Sequence, residues 1–233
     1  MLRFCFMAML ILYTVGCSAD RLQQRAVSPD GVALGTRFDS LASDLTLAYR
    51  TPEKNLAGRG MLVYQRPDRM HLVILSPLGT KIMGALVEGN QLTLVYPVDR
   101  VAFKGTISQL PQAAGQQAWG LLQWVMDMEL PSGTAADAVL IRLTERGTEE
   151  TLVVKHGLLI EKRTSSGDRV RYGEFKQIQG QQLATELQIE TRDGDRLKLG
   201  FVDPELNLEL GSNSFEAGVG GMRLLPLSEL RLR

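Results

Sequence analysis

The chain has 233 residues, of which 44% are hydrophobic and 22% are charged, a composition typical of a globular protein and a length that one all-β domain can reach. Its 26 Lys and Arg residues balance its 26 Asp and Glu residues, which argues against a nucleic-acid-binding protein. A local basic patch remains compatible with this balance.

The first sixteen residues have the pattern of an export signal. Arg3 supplies a positive start, and residues 4–15 form an apolar run that is shorter than the about 20 residues of a membrane-spanning helix. The sequence at the end of the run resembles the lipobox of bacterial lipoprotein signals. This resemblance implies removal of residues 1–16, diacylation of Cys17 and acylation of the new N-terminus. An ordinary secretory signal cleaved near Ala19 is the alternative.

Two further expectations follow from this N-terminus. Cys5 lies in the segment that would be removed, so the mature chain is expected to fold without a disulfide. Ser18 follows the acceptor cysteine, and by resemblance to enterobacterial sorting rules the absence of Asp there favours the outer membrane. Several acyl chains, at roughly 0.8 kcal/mol per buried methylene, anchor a protein stably. Residues 17–31 would then be the lipidated N-terminus and a polar tether.

A helix is predicted next. Apolar residues recur three or four positions apart between Leu34 and Ala48, which predicts one amphipathic helix over residues 32–50. Pro52 ends it, because the residue before a proline is pushed out of helical geometry.

Residues 59–96 form the most β-rich part of the chain. Four apolar runs are separated by turn sequences at 66–68, 76–79 and 88–90. Connections this short predict an antiparallel meander, and a fifth strand is predicted at 100–104. The runs hold more apolar residues than a sheet with one buried face needs. The meander is therefore expected to be covered on both faces, or to wrap something apolar.

A second helix is predicted within residues 110–128, and it contains both tryptophans, Trp119 and Trp124. Its apolar arc also includes Leu122 and Met126. A helix that is apolar over so wide an arc must be buried or must cover an apolar site. Two interpretations therefore stay open: a core helix that plugs the sheet, or a lid whose aromatic and Met side chains face a cavity.

The strand pattern returns at residue 137. Residues 183–190 alternate strictly between apolar and polar side chains, and turn sequences recur about every ten residues. This spacing predicts further antiparallel strands up to residue 210. Residues 211–233 form a C-terminal extension for which only a short edge segment or helix is predicted.

The sequence contains no recognisable catalytic or metal-binding motif. His71 and His156 are isolated, whereas zinc needs several closely arranged ligands. The chain also lacks a Gly-x-Ser-x-Gly elbow and a phosphate-binding glycine loop before a helix. Asp193 and Asp195 flank a glycine in a predicted hairpin turn. We therefore expect a protein that is not an enzyme and that uses no metal or other cofactor.

The order of these elements carries a resemblance to a known family. The glycine-led strand at 58–63, the Ser-Pro-Leu-Gly turn at 76–79 and the tryptophan-bearing helix resemble the LolB family of bacterial outer-membrane lipoproteins over residues 32–210. They equally resemble related uncharacterised lipoproteins of the LolA/LolB superfamily. The extension at 211–233 is not part of that pattern. The resemblance implies an α+β fold that is mainly β with a few helices. In this fold a curved antiparallel sheet forms an incomplete barrel covered by helices.

The resemblance also implies a function. The hydrophobic cavity of the half-barrel would hold acyl chains, and the protein would receive lipoproteins from a soluble periplasmic carrier and insert them into the outer membrane. No bond is made or broken, and better burial of the chains drives the transfer. Leu78 would be the apolar residue of the membrane-contact loop, and its alternative role is that of a buried turn residue. The candidate residues of the cavity and its lid are Trp119, Leu122, Trp124, Met126, Leu72, Ile74, Leu92 and Leu94.

Two other functions stay open at this point. An envelope scaffold lipoprotein could keep the fold without transporting lipid, in which case it would take up no lipid and would have a stable protein partner. An envelope hydrolase would need converging polar groups in a pocket, which the sequence does not display.

Overall fold

The computed structural model describes residues 36–51, 55–111, 116–144 and 147–230. In this part of the chain, thirteen strands form a single large curved sheet that does not close on itself. One α-helix, α1 (Gln116–Met126), and short 3₁₀ turns accompany the strands. The prediction of a mainly β, curved, incomplete barrel is confirmed. Several helices were predicted to cover the sheet, but α1 is the one α-helix in the described residues.

The strands of the first half are β1 (Ser40–Arg50), β2 (Asn55–Gln65), β3 (Arg69–Leu75), β4 (Lys81–Glu88), β5 (Gln91–Tyr96) and β6 (Val101–Thr106). Those that follow α1 are β7 (Ala138–Leu143), β8 (Glu149–Lys155), β9 (Leu158–Thr164), β10 (Arg169–Ile178), β11 (Gln181–Glu190), β12 (Arg196–Leu206) and β13 (Arg223–Pro226). The 3₁₀ turns span Ile107–Gln109, Ser212–Phe215 and Leu227–Glu229.

The sheet consists of two meanders joined in the middle. Its order is β13-β6-β5-β4-β3-β2-β1-β12-β11-β10-β9-β8-β7, so the first strand of the chain pairs with β12 at the junction. Leu45 lies opposite Phe201, and Leu47 lies opposite Leu199. Every neighbouring pair is antiparallel except β13, which runs parallel to β6. The predicted meander over residues 59–96 is confirmed as strands β2 to β5.

The predicted helix over residues 32–50 is wrong, because residues 40–50 form strand β1. The error has a physical origin. Leu41 and Leu45 are four positions apart, and a spacing of four places two residues on one face of a strand as well as on one face of a helix. A bulge between Ala42 and Asp44 further disturbs the regular alternation of the strand. Residues 32–35 lie outside the described part.

The first meander is covered on its inner face and over part of its outer face. On the inner face, Leu62, Leu72, Ala85 and Leu94 stand side by side across four strands and pack toward the core beneath α1. A segment that we call the strap, residues 207–222, connects β12 at the junction with β13 at the edge. The strap reaches the outer face of β3, which accounts for part of the apolar excess of the meander.

The contacts between the strap and β3 are specific. The Nδ1 atom of His71 donates to the carbonyl oxygen of Ser214 at 2.8 Å, and the guanidinium of Arg69 lies 4.1 Å from the ring centre of Phe215. Phe215 is buried. Beyond β13 the chain turns inward, and Leu227 joins the hydrophobic core. The C-terminal segment therefore packs as part of the same globular unit.

Candidate functional site

A cavity of about 1230 Å³ lies between the inner face of the sheet and α1. This volume exceeds the range of about 300–1,000 Å³ that is usual for small-molecule pockets. Apolar side chains make up most of its wall. From the sheet it is lined by Leu45, Leu47, Tyr49, Leu56, Ala57, Gly58, Arg59, Leu62, Met70, Leu72, Ile74, Leu75, Ile82, Met83, Tyr96, Leu197 and Leu199, and from the helix by Trp119, Leu122 and Met126.

The sequence places these side chains by simple periodicity. In a strand, alternate residues share a face, so Leu45, Leu47 and Tyr49 of β1 all face inward. In α1, Trp119, Leu122 and Met126 are spaced by three and then four positions and face the sheet together.

Gly58 widens the cavity at its wall. A Cβ atom placed on Gly58 would have its nearest neighbours, atoms of Ile74 and Leu47, no closer than 3.8 Å. Two residues further along β2, a Cβ atom on Gly60 would meet the carbonyl oxygen of Val73 at 2.1 Å. A small side chain therefore fits on the cavity wall at Gly58, whereas at Gly60 the neighbouring backbone leaves no room for one.

The turn between β3 and β4 also borders the cavity, through Ser76, Pro77 and Gly79. The turn is closed by a hydrogen bond from the Gly79 amide to the Ser76 carbonyl oxygen at 2.9 Å, and Gly79 has φ 80°. Leu78 at its tip is 93% exposed. The alternative role of Leu78 as a buried turn residue is therefore wrong.

The predicted cavity residues fall into two groups. Leu72, Ile74, Trp119, Leu122 and Met126 line the cavity. Leu92 and Leu94 are fully buried in the core and do not line the cavity, and Trp124 does not line it either. Cys17 lies outside the described residues. Sequence reasoning missed the lining residues of β1, whose period-two spacing was the available signal.

Trp124 belongs instead to a buried polar cluster at the C-terminal end of α1. Its indole N–H donates to Glu150 Oε2 at 2.5 Å. The Nζ atom of Lys162 donates to the carbonyl oxygens of Trp124 and Asp127 at 2.8 and 2.9 Å, and it lies 4.9 Å from the Trp124 ring centre. Lys162 thereby satisfies carbonyl groups that the end of a helix leaves without intrahelical partners.

The charges of this polar cluster compensate one another. Lys162 and Glu150 are 0% and 1% exposed, and their charged atoms lie 3.5 Å apart. Arg142 Nε donates to Glu150 Oε1 at 2.6 Å. Burial lowers the pKa of Lys162 to about 8, although the negative charge of Glu150 opposes this shift. Sequence reasoning missed the cluster, although Glu150 alternates with the apolar residues Leu152 and Val154 on one face of β8.

A second bond fixes the same end of the helix. The hydroxyl of Tyr172 donates to the carbonyl oxygen of Val125 at 2.8 Å, and burial raises the pKa of Tyr172 well above its usual value. At the opposite wall of the cavity, the hydroxyl of Tyr49 donates to Asp195 at 2.8 Å. Burial, reinforced by this carboxylate, raises the pKa of Tyr49 to about 12. Tyr49 therefore stays uncharged at neutral pH, as an apolar wall requires.

Within residues 36–51, 55–111, 116–144 and 147–230, His, Cys, Asp and Glu side chains do not come together in groups of three that could hold a metal ion. In the same residues, each helix is too short or too polar to cross a membrane.

Comparison with solved structures finds several that are similar to this chain. A DUF1329 family protein from Desulfovibrio piger is similar with a TM-score of 0.55 and 13% identity, over 77% of this chain and 90% of that chain, a likeness of fold alone. A LolA superfamily protein from Nitrosomonas europaea is similar with a TM-score of 0.48 and 14% identity, over 80% and 93% of the two chains. An outer membrane lipoprotein-sorting protein domain from Vibrio parahaemolyticus gives 0.49 and 9%, over 79% and 92%.

The sequence itself gives the family. None of the curated proteins compared matches the chain. The family model described as "Outer membrane lipoprotein LolB" matches residues 42–203, which is more than half of the chain and includes every residue that lines the cavity. The curved, unclosed sheet agrees with the fold expected from the sequence. On the strength of this match, the chain belongs to the LolB family of outer-membrane lipoproteins.

Proposed function

We propose that this protein is a lipid-anchored lipoprotein of the outer membrane that binds acyl chains in the cavity beneath α1. Its task would be to receive lipoproteins from a soluble periplasmic carrier and to insert them into the membrane. Membership of the LolB family supports an envelope function related to lipoproteins. The observation that carries the more specific proposal is the cavity of about 1230 Å³ with its apolar wall.

The chemistry of the cavity wall suits an acyl chain. Each methylene group that enters it from water gains about 0.8 kcal/mol, and no specific polar contact is required for this gain. Binding of this kind is reversible, because the chain is held by contact area and by no covalent bond. A cavity that holds a chain less well than a bilayer then passes it to the membrane without another energy source.

The helix is proposed as the lid of the cavity. Trp119, Leu122 and Met126 present an adaptable apolar surface, and Met side chains repack easily around ligands of different shape. The polar cluster around Lys162 holds the C-terminal end of the helix in place. Leu78, exposed on a turn that borders the same cavity, is proposed as the membrane-contact residue.

Binding of a fluorescent fatty acid to the chain from Ser18 to Arg233 tests the cavity. This chain retains every member of the hydrophobic core, which extends from Phe38 to Leu230. We expect saturable binding that Trp119→Ala weakens. Trp124→Ala is the matched control, because Trp124 does not line the cavity, and the refolded variant should keep its binding.

Two outcomes of this experiment would argue against the proposal. Absence of probe uptake, together with no lipid in native mass spectra, would remove acyl-chain binding and favour the scaffold function. Equal losses in Trp119→Ala and Trp124→Ala would show that the helix is core and does not act as a lid.

Fractionation of cells that express the full chain tests the anchor. Cys17→Ser should move the protein from the membrane fraction to the soluble fraction, because no acyl chain can then be attached. Cys5→Ser is the control, since Cys5 lies in the segment that is predicted to be removed. Retention of the Cys17→Ser protein on membranes would argue against lipid anchoring.

A further inference from the structure

A second cavity, of about 460 Å³, lies over strands β1, β10, β11 and β12. We call it the basic pocket. Five cationic side chains line it, namely Arg50, Arg169, Arg171, Arg196 and Lys198. Glu190 is the one carboxylate of its lining, whereas the whole chain has equal numbers of basic and acidic residues. The positive charge is therefore concentrated locally.

The carboxylates near the basic pocket leave this positive charge in excess. Glu190 pairs with both Arg169 and Arg196, so one negative charge serves two guanidinium groups. Arg50 takes part in no salt bridge within the described residues.

Two more of the cations have partners just outside the lining. Arg171 pairs with Glu161 at 3.1 Å, and Glu161 is shared with Arg163. Lys198 pairs with Glu186 at 2.7 Å. Even with these neighbouring carboxylates included, cations outnumber anions, and an anion entering the pocket meets guanidinium groups whose donors are only partly used.

Strand register places the basic pocket at the same end of the sheet as Leu78. Arg50 lies opposite Arg196 across the β1–β12 junction, and Glu190 lies opposite Arg196 on the other side. In β3, the residue next to the turn, Leu75, lies opposite Arg59 of β2, four residues from the Asn55 end that pairs with Arg50. The exposed leucine and the excess positive charge therefore share one end of the molecule.

We propose that the basic pocket binds the phosphate groups of anionic phospholipids at the membrane surface, while Leu78 enters the bilayer beside it. Guanidinium groups match phosphate oxygens in bidentate geometry, and several arginines converge here. A cation close to an anionic bilayer strengthens binding about five-fold. The proposal adds a lipid-headgroup site to the proposed acyl-chain function, and it rests on that function only in the assignment of Leu78.

Vesicle binding tests the proposal, with the chain from Ser18 to Arg233 and vesicles of phosphatidylcholine with or without phosphatidylglycerol. We expect Arg50→Ala to weaken binding to the anionic vesicles about 5-fold, and the pair Arg50→Ala and Arg196→Ala to weaken it about 25-fold. Both effects should vanish on phosphatidylcholine alone and should shrink as salt is added.

The matched control is Lys176→Ala. Lys176 is exposed, makes no salt bridge in the described residues, and lies toward the opposite end of β10, across from Leu183. It removes one positive charge at the far end of the sheet, so its binding should equal that of the wild type. An equal loss in Lys176→Ala and Arg50→Ala would overturn the proposal, because it would show a response to net charge alone.

Two further measurements separate the competing explanations. If calorimetry shows that inorganic phosphate binds the wild-type pocket, but vesicle binding is unchanged in the double variant, the pocket is a site for free phosphate and the membrane assignment fails. Fatty-acid binding should be unchanged in the double variant, because neither Arg50 nor Arg196 lines the large cavity. Absence of fatty-acid binding in the wild type would count against the proposed function, whether or not the protein binds anionic vesicles.

Discussion

The two tryptophans of α1 lie five positions apart, yet they have opposite surroundings. Trp119 faces a large apolar cavity. The indole N–H of Trp124 instead donates to a buried carboxylate, and the ammonium group of Lys162 lies over its ring. One face of the helix, with Trp119, Leu122 and Met126, therefore covers open space, while charged hydrogen bonds fix its C-terminal end. The comparison teaches that a mostly apolar helix can combine a surface for a ligand with an anchor to the protein.

The cavity-facing side of α1 and its anchored end also differ in what they contribute to stability. Side chains around a cavity lack packing partners on one side, so truncating one of them loses few contacts. In the polar cluster every buried charge has a partner, and removing one member leaves the others desolvated and uncompensated. We therefore expect substitutions in the polar cluster to affect mainly stability, and substitutions on the cavity-facing side of α1 to affect mainly ligand binding.

Glu150→Leu is expected to have the largest effect. It removes the acceptor that Trp124, Arg142 and Lys162 share, and a broken buried ion pair costs about 3–5 kcal/mol of the free energy of unfolding. Urea denaturation measures the loss. Glu149→Leu is the control. Glu149 precedes Glu150 on the same strand but is exposed, so its replacement should change stability by less than about 0.5 kcal/mol. Similar values for both variants would mean that the polar cluster does not anchor the helix.

The tryptophan pair gives the next largest difference. Trp124→Ala should cost about 3 kcal/mol, because it opens a void and removes the indole donor to Glu150 Oε2. Trp119→Ala should cost only about 1 kcal/mol, because its ring already borders empty space. Thermal denaturation of the two variants provides the measurement. A larger loss of stability in Trp119→Ala than in Trp124→Ala would show that Trp119 is packed in the core and that Trp124 does not anchor the helix.

The anchored end should also respond to pH. Because burial lowers the pKa of Lys162 to about 8 from 10.5, the folded protein binds fewer protons than the unfolded chain between these values. The free energy of unfolding should therefore rise with pH in this window, by about 3 kcal/mol for this group. The effect is read as the difference between the wild type and Lys162→Met. A difference that stays constant from pH 8 to 10.5 would contradict it.

Alanine substitutions at two glycines of β2 test where the cavity wall leaves room for a side chain. Gly60→Ala should cost about 2 kcal/mol, because its methyl group meets the Val73 carbonyl oxygen, which backbone pairing holds in place. Gly58→Ala should change stability by less than about 0.5 kcal/mol, since its methyl group enters the cavity with ordinary contact distances. Chemical denaturation compares them. Equal costs would indicate that the cavity does not reach Gly58.

Much of the fold was predictable because local signals agree with it. Turn residues and alternation gave the first meander, the later hairpins and the helix with its tryptophans. The sequence failed at β1, where a spacing of four fits both periodicities, and at the strap, whose apolar residues follow no period. The periodicity of β3 and α1 predicted which of their side chains face the cavity. It did not predict that Trp119 and Trp124 have different surroundings. This difference depends on Glu150 and Lys162, which only tertiary pairing brings to the helix.

The central position of β1 has a consequence for how the molecule forms. Its partner β12 is about 150 residues away in the chain, so the two meanders cannot join until almost all of the protein has been synthesised. Contacts this distant in sequence make folding slow, since the chain entropy of closing the loop is lost before any contact is gained. Until then the edges of β1 and β12 that later pair with each other remain unpaired, and unpaired strand edges aggregate readily. We therefore expect protection from aggregation to matter most before β12 docks.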